Sequence, residues 1–478
     1  MARANKHKVQ DWAQAEFGAA ELGDARRTAR LVQLAHQLGE RPEASLPQAL
    51  EDDAALKAAY RLFDNAQVAY EKVLASHVVS SLRRMHGQAV ILAVQDTTFI
   101  DYSTHRATQG LGPLHTKGDG GYGMLCHGTL AFTPERLPLG VLNFRLWARD
   151  PANHRCQRAR RRKRAIQDKE SQKWIDSVRA VAQLKARLPG TRLVSVADRE
   201  GDVFEMFTEA QALGVDLLVR SSWDRNLSNE HTHLFAKLAA APLLAENYLA
   251  LPASGKRKAR TAKLEVRACP LMVAAPRNGS GRGLAPLALW GVWAYEPKPP
   301  KGAQPLDWKL LTSVAVTTAT QALERLEWYA VRWGIEQWHK ILKSGCRIEV
   351  RQLESLQRLQ RLLTVYAVIA WRILYATMLA RLVPKVRCTA ILNEDEWQAL
   401  YCRIHHTPTP PATAPPLRQA VRWIAKLGGF IGRKSDGEPG TQTLWKGFQE
   451  LIAMTEMYRI MKTPAAQSRS KRHSQKCG

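Results

Sequence analysis

Three acids stand where a carboxylate could do chemistry: Asp96 at the end of the apolar run "AVILAVQDTT", Asp198 closing "TRLVSVAD", and Glu336 inside the window "YAVRWGIEQWHKILK". Phosphodiester hydrolysis and transesterification need a nucleophile deprotonated near neutral pH and a leaving oxygen whose charge is neutralised. Two divalent cations about 4 Å apart supply both. Mg²⁺ takes few carboxylates and keeps its remaining positions for waters and substrate oxygens, so three acids from separate elements suffice. Taken singly, an aspartate at a strand end is more often a cap or turn residue. The set carries the argument.

The third acid lies on a two-faced window. At about 100° per residue, Tyr329, Arg332, Glu336, Lys340 and Lys343 share an arc of about 80°, and Trp328, Val331, Ile335, Trp338 and Leu342 occupy a neighbouring one. The apolar stripe reads as the side that packs on a core. Taken alone, the charged stripe reads first as a solvated face with Arg332–Glu336 and Glu336–Lys340 pairs at i,i+4.

The elements that would position these acids follow from hydrophobic period. Residues 10 to 85 read as helical throughout, with Gly23-Asp24 as a break and cap; Arg26, Arg27 and Arg30 fall just inside the second helix, either a phosphate grip or an exposed basic turn. Period two then takes over. Three strands ("AVILAVQDTT", "CHGTLAF", "GVLNFRLW"), the helix "KWIDSVRAVAQLKARLPG", the strand ending at Asp198, the helix "VFEMFTEAQALG" and the strand "VDLLVRS" follow in turn. Asp96 and Asp198 thereby come to the carboxyl ends of two strands able to be neighbours in one mixed sheet. From about 222 to 305 alternating segments suggest an inserted β-subdomain, "WKLLTSVAV" returns to the core, and a helix runs from about 319 through the charged window. Helices after Pro384 are interrupted by the stiff linker "TPTPPATAPP". The basic stretch "RCQRARRRKRAIQDK" reads as a solvated or disordered loop, and the tail "KTPAAQSRSKRHSQKCG" as disordered.

Composition narrows the partner. A chain of 478 residues with 45% hydrophobic content sustains real cores, about three domains' worth. Its net charge of +27 points to a polyanion, nucleic acid before membrane. The most membrane-like stretch, from Thr364, has Arg372 in its middle and suits a buried helix. Seven scattered cysteines without a C-x-x-C argue against a disulfide framework and a structural zinc. The start "MARANKHKVQDW" lacks the apolar region of a signal peptide, which places the protein in the cytoplasm, at the nucleoid when on DNA.

Spaced motifs run along almost the whole chain: "LGDARRTARLV", "AAYRLFDN", "QDTT", "KESQKW", "DREGD", the spacing Y-x2-R-x3-E-x6-K at Tyr329, Arg332, Glu336 and Lys343, and "LGGFIGRKSDGEPG" with "LWKGFQEL". With them the chain resembles the cut-and-paste DDE transposases of the transposon-five type, in the insertion-sequence-four family. That resemblance implies a mixed α/β fold: a ribonuclease-H-like catalytic core with an inserted β-subdomain, flanked by an α-helical N-terminal DNA-binding domain and an α-helical C-terminal dimerisation region. The implied bounds are 1–85, 86–383 with the insertion at about 222–305, and 384–478. Asp96, Asp198 and Glu336 match the catalytic, metal-binding triad, with two Mg²⁺ or Mn²⁺ ions expected. Tyr329, Arg332 and Lys343 match positions that hold the phosphate beside a flipped base, and Lys340 matches a further family lysine. Trp308, 21 residues before Tyr329, matches the tryptophan on which that base stacks; by composition alone it reads as a core tryptophan. Arg26, Arg27 and Arg30 match the region that grips the terminal inverted repeat.

The implied reaction is a nick, attack of the freed 3′-hydroxyl on the opposite strand to form a hairpin, hairpin opening, and joining of the 3′-end to target DNA, within a homodimer on two ends. Three departures stand out. Gly334 occupies a position that is basic in a family member; Met124 and Leu125 replace a tryptophan pair; and the first internal methionine, Met85, lies too far along to start the truncated inhibitor such a relative makes. A catalytically silent DNA-binding regulator and a generic metal-dependent nuclease are the rival readings.

Overall fold

The structure is a computed structural model that describes residues 12–50, 52–115, 121–151, 165–228, 230–251, 259–433 and 436–462. Most of the basic stretch after residue 151 and the tail after 462 lie outside the described residues.

Five helices open the chain: α1 (Trp12–Phe17), α2 (Ala25–Glu40), α3 (Leu46–Leu50), α4 (Asp53–Asp64) and α5 (Tyr70–Met85). Asp24 caps α2 by accepting from the Arg26 N–H at 2.8 Å, and Gly23 takes the positive φ of the break. A ten-stranded mixed sheet follows, built from β1 (Val90–Asp101), β2 (Gly112–Pro113), β3 (Tyr122–Phe132), β4 (Pro138–Trp147), β5 (Arg192–Ala197), β6 (Asp216–Arg220), β7 (Leu243–Leu251), β8 (Arg260–Val273), β9 (Leu287–Tyr295) and β10 (Asp307–Thr312). Its order is β2-β3-β1-β5-β6-β10-β9-β8-β7, with β4 on β3; β1, β5 and β6 run parallel and the other pairings are antiparallel. The β insertion is thus continuous with the core sheet, joined to it through β10. Helices α6 (Gln172–Ala182), α7 (Phe204–Leu213) and α8 (Leu234–Ala240) lie between strands in sequence, and α9 (Ala319–Ala330), α10 (Trp333–Lys340), α11 (Leu356–Leu382), α12 (Glu394–His405), α13 (Leu417–Leu427) and α14 (Thr441–Lys462) follow the last strand. This is a ribonuclease-H-like core with helical flanks.

Strand alternation splits the sheet into two apolar layers. Ile91, Ala93, Leu193 and Ala197 pack with Trp174 of α6 and Phe204 of α7. Leu92, Val94, Val194 and Val196 pack in the other layer with Ile335 and Trp338 of α10, the centre of α11, and the N-terminal helices. The N-terminal helices share this core rather than enclosing one of their own. α11, the most membrane-like element, is 78% buried over its most apolar window, as the Arg372 at its centre suggested. A third apolar cluster gathers α12, α13 and α14.

Candidate functional site

Register decides where the two aspartates point. Val94 of β1 pairs with Val196 of β5, so Asp96 and Asp198 lie two residues beyond a matched pair on adjacent parallel strands. Both keep the parity of Val94 and Val196, whose side chains face α10. Asp198 ends its strand and caps a short 3-10 turn, its Oδ1 accepting from the Glu200 N–H at 2.8 Å. Asp96 does not end its strand, contrary to the sequence reading: β1 runs on to Asp101, and Asp96 pairs with Gly128 of β3. What ends at Val94 is the pairing with β5, because the chain peels away after Ala197 while β3 continues alongside β1.

Beneath the site, Gln95 donates to Ser195 Oγ at 2.6 Å, tying β1 to β5, and its carbonyl oxygen lies 3.2 Å from His127 Nε2. Since that oxygen only accepts, His127 carries its proton on Nε2, and its Nδ1 accepts from Thr97 Oγ1 at 2.8 Å. The register that sets the two aspartates is therefore pinned by a fully partnered polar chain.

The charged window is not one helix. α9 stops at Ala330, Val331 and Arg332 form a tight turn whose N–H groups reach back three residues, and α10 starts at Trp333. The turn lets α10 press onto β3, and two glycines make the contact possible. A Cβ on Gly334 would lie 2.7 Å from two ring carbons of Phe132, and one on Gly128 would lie 2.7 Å from the Trp338 ring. Trp338 is locked further by its Nε1–H donating to Ala367 O of α11 at 3.0 Å. The apolar stripe Trp328, Val331, Ile335, Trp338 and Leu342 is wholly buried, as its spacing predicts. Glu336, on the opposite side, keeps 53% of its side chain exposed and takes a 2.7 Å ion pair from Arg332. A π turn over Ile341–Gly345 then rotates the chain, and Lys343 ends on Phe99 O at 2.8 Å and Glu349 at 3.0 Å. Lys340 is exposed one turn beyond Glu336.

The electrostatics are those of crowded like charges. Burial and then the Asp198 charge push the Asp96 carboxyl up to about 7, with Glu336 adding to the effect and Arg332 opposing it. Asp96 Oδ1 accepts from the Thr97 N–H at 2.8 Å. Hard carboxylate oxygens with uncompensated negative charge have the donor chemistry of a divalent-cation site. Among the described residues no three metal-ligating side chains are gathered around one point, and Glu336 is engaged by Arg332.

Beside the acids lies a cleft of about 850 Å³ lined by Arg220, Arg260, Trp308, Tyr329, Arg332 and Trp333. Trp308 meets Tyr329 and Trp333 edge to face at 5.0 and 5.9 Å and is only 6% exposed, so most of the ring belongs to the core. Burial raises the Tyr329 hydroxyl's pKa against the pull of Arg332 and Arg220. The Nε groups of Arg220 and Arg332 are both buried without a hydrogen-bond partner. Arg26, Arg27 and Arg30 sit apart from this cleft in sequence, on the first turns of α2, with local contacts: Arg26 to Asp24, Arg27 to Leu22 O at 2.8 Å, Arg30 to Gln33 at 3.1 Å.

Two neighbours of the site escaped the sequence. Arg220 ends β6 with nothing local to mark it. His339 lies one turn past Glu336, buried, its Nδ1 4.0 Å from Asp96 Oδ2; burial and Lys343 push it down to about 3. Its spacing from Glu336 was the available signal.

A ribonuclease-H-like sheet with two strand-borne aspartates facing the helix that carries Glu336, in so basic a chain, fits the class of enzymes that cut nucleic acid. Comparison with family models agrees: residues 76–372 match the Transposase DDE domain, residues 9–68 the Transposase DNA-binding domain, and residues 368–467 the Transposase Tn5 dimerisation domain. The first match covers more than half of the chain, and the chain belongs to this family of DDE transposases, with the three-part architecture of the Tn5 type.

Proposed function

We propose that this transposase is active, and that Asp96, Asp198 and Glu336 hold two Mg²⁺ or Mn²⁺ ions. The family uses divalent cations; when bound, they supply a deprotonated nucleophile and neutralise the leaving oxygen. The observation that carries the reading is the Val94–Val196 register, which brings Asp96 and Asp198 to matched places on adjacent strands facing the helix of Glu336; the Asp96 carboxyl, raised to about 7, accords with it. In the division proposed, residues 1–85 grip the terminal inverted repeat through Arg26, Arg27 and Arg30, residues 86–383 cut and join, and residues 384–478 make the homodimer. Guanidinium groups with buried, unpartnered Nε atoms suit a phosphate, which takes two N–H donors from one arginine. Arg332, with Tyr329 and Arg220 beside it, thus clamps the phosphate next to a flipped base, and Trp308 with Trp333 forms the wall on which that base rests. Lys343 and Lys340 steady the backbone on the far side of Glu336. Arg332 has two partners to choose between, and DNA phosphate draws it from Glu336, freeing that carboxylate. The course of reaction is nicking, hairpin formation, hairpin opening and strand transfer, on DNA in the nucleoid.

Purified protein with transposon-end DNA and Mg²⁺ should give hairpin and double-strand-break products. Glu336→Ala should reduce them at least about 1,000-fold while end binding in a gel shift stays unchanged. Cleavage by Glu336→Ala at the wild-type rate would refute the triad; end binding without cleavage by the wild type would favour a silent regulator.

A further inference from the structure

We propose that His339 is a positioning residue for Asp96, its Nδ1–H aimed at Oδ2 while the Thr97 N–H holds Oδ1, so that this carboxylate meets a cation in one orientation. The inference rests on the reading of Asp96, Asp198 and Glu336 as the cation site.

The geometry begins with α10, which carries Glu336 and, one turn later, His339. The imidazole is 7% exposed and lies tilted on the Trp338 ring at 5.2 Å. Its Nδ1 is 4.0 Å from Asp96 Oδ2, an electrostatic contact rather than a closed hydrogen bond, and its Nε2 is buried with no partner. A neutral imidazole has one N–H and one lone pair, and the surroundings decide which nitrogen bears which. With the proton on Nε2, a buried donor would have no acceptor and the Nδ1 lone pair would face a carboxylate. Placing it on Nδ1 turns the donor toward the carboxylate and leaves only an acceptor unfilled. The second arrangement is favoured on both counts.

Comparison with His127 sharpens the point. That histidine, on β3 beside β1 and packed on Trp174 of α6, has both its nitrogens used, by Gln95 and Thr97, as in a settled core. His339 has one nitrogen idle and the other directed at the reacting acid. Oriented outer partners of this kind fix ligand carboxylates, and their loss costs about 10–100-fold in metal affinity.

The test is Mn²⁺ binding to the full-length protein without DNA, followed by the electron paramagnetic resonance of free Mn²⁺. His339→Asn places an amide N–H near the Nδ1 position; His339→Gln places it near Nε2. We expect His339→Asn to bind within about threefold of wild type, and His339→Gln and His339→Leu to bind about 10–100-fold more weakly, with end-DNA binding unchanged in all three. Equal Mn²⁺ affinity in folded His339→Leu, or retention by His339→Gln but not His339→Asn, would overturn the proposal. If His339→Leu does not fold, the Asn and Gln pair still decides. Should Glu336→Ala bind Mn²⁺ as wild type does even with end DNA bound, which on the present reading frees Glu336 from Arg332, the triad reading fails instead, independently of His339.

Discussion

Glu16 and Asp96 are both carboxylates taken largely out of water, and their neighbours send them in opposite directions. Glu16, 5% exposed, accepts from Arg84 at 2.7 and 3.1 Å and from His77 Nδ1 at 2.6 Å. His77 Nε2 accepts from the Val141 N–H at 2.9 Å, which fixes its proton on Nδ1 and links α1 and α5 to β4. Burial opposes ionisation of Glu16, but His77 and then Arg84 outweigh it and hold the carboxyl low. Around Asp96 burial acts the same way, yet the nearest strong influence is another carboxylate, and the group rises to about 7. A buried acid with its counter-charges in place joins domains. One without them, in the reading proposed above, is a place for a cation.

The largest way to break this comparison is to remove the satisfied acid. Glu16→Leu strands the His77 N–H and leaves Arg84 with only Leu139 O, Ser81 and the face of Trp371. We expect a loss of about 3 kcal/mol in urea denaturation at pH 7. The sign with pH follows from the lowered pKa: Glu16's contribution is full above the ordinary glutamate range and is lost as pH falls below it, so wild type and variant should converge in acid. A smaller effect tests the helix that brings Glu336 to the aspartates. Gly334→Ala gains about 1 kcal/mol of helix propensity but drives a methyl into Phe132, at a cost of about 1–3 kcal/mol. The net loss should be about 1 kcal/mol by thermal melting, cleavage should fall more than end binding, and the added change Phe132→Leu should restore both. Unchanged cleavage in Gly334→Ala would show that the seating of α10 does not matter to the site. Smallest should be Lys343→Met. Removing one phosphate contact lowers the slope of end binding against log salt concentration by about 1.

Much of this was legible before any fold was known. Asp96 and Asp198 closed apolar runs of strand character, and parity within those runs is what aims them both at α10. The stripe from Trp328 to Leu342 gave the buried side of the window correctly. The break at Val331 and Arg332 was not legible, because helical period continues unbroken across it and no proline marks it. The neighbour that α10 seats against there, Phe132, lies some 200 residues earlier. Gly334 carried the signal without the meaning: a helix glycine with no local reason is one with a neighbour too close for a Cβ. The joining of the β insertion to the core sheet depends on pairing between β9 and β10, which period two cannot assign to a partner. His339 could not be told from an ordinary buried histidine until the ring and Asp96 were seen together.

The central claim, that Asp96, Asp198 and Glu336 form a cation site, is tested most directly by melting wild type and Asp96→Asn with and without Mg²⁺ at pH 4 and pH 8. Asp96's folded pKa, about 7, lies above its unfolded value of about 3.8. At pH 4 the folded group is protonated and the unfolded one only about half so, which leaves most of the penalty still to come. As pH rises toward 7 the unfolded chain sheds a proton that the folded chain keeps, and stability falls until the penalty is complete. Metal-free Asp96→Asn should therefore melt close to wild type at pH 4 and several degrees above it at pH 8, while Mg²⁺ at pH 8 should raise the wild type alone. A wild type indifferent to Mg²⁺, and no more fragile than Asp96→Asn at pH 8, would contradict the account.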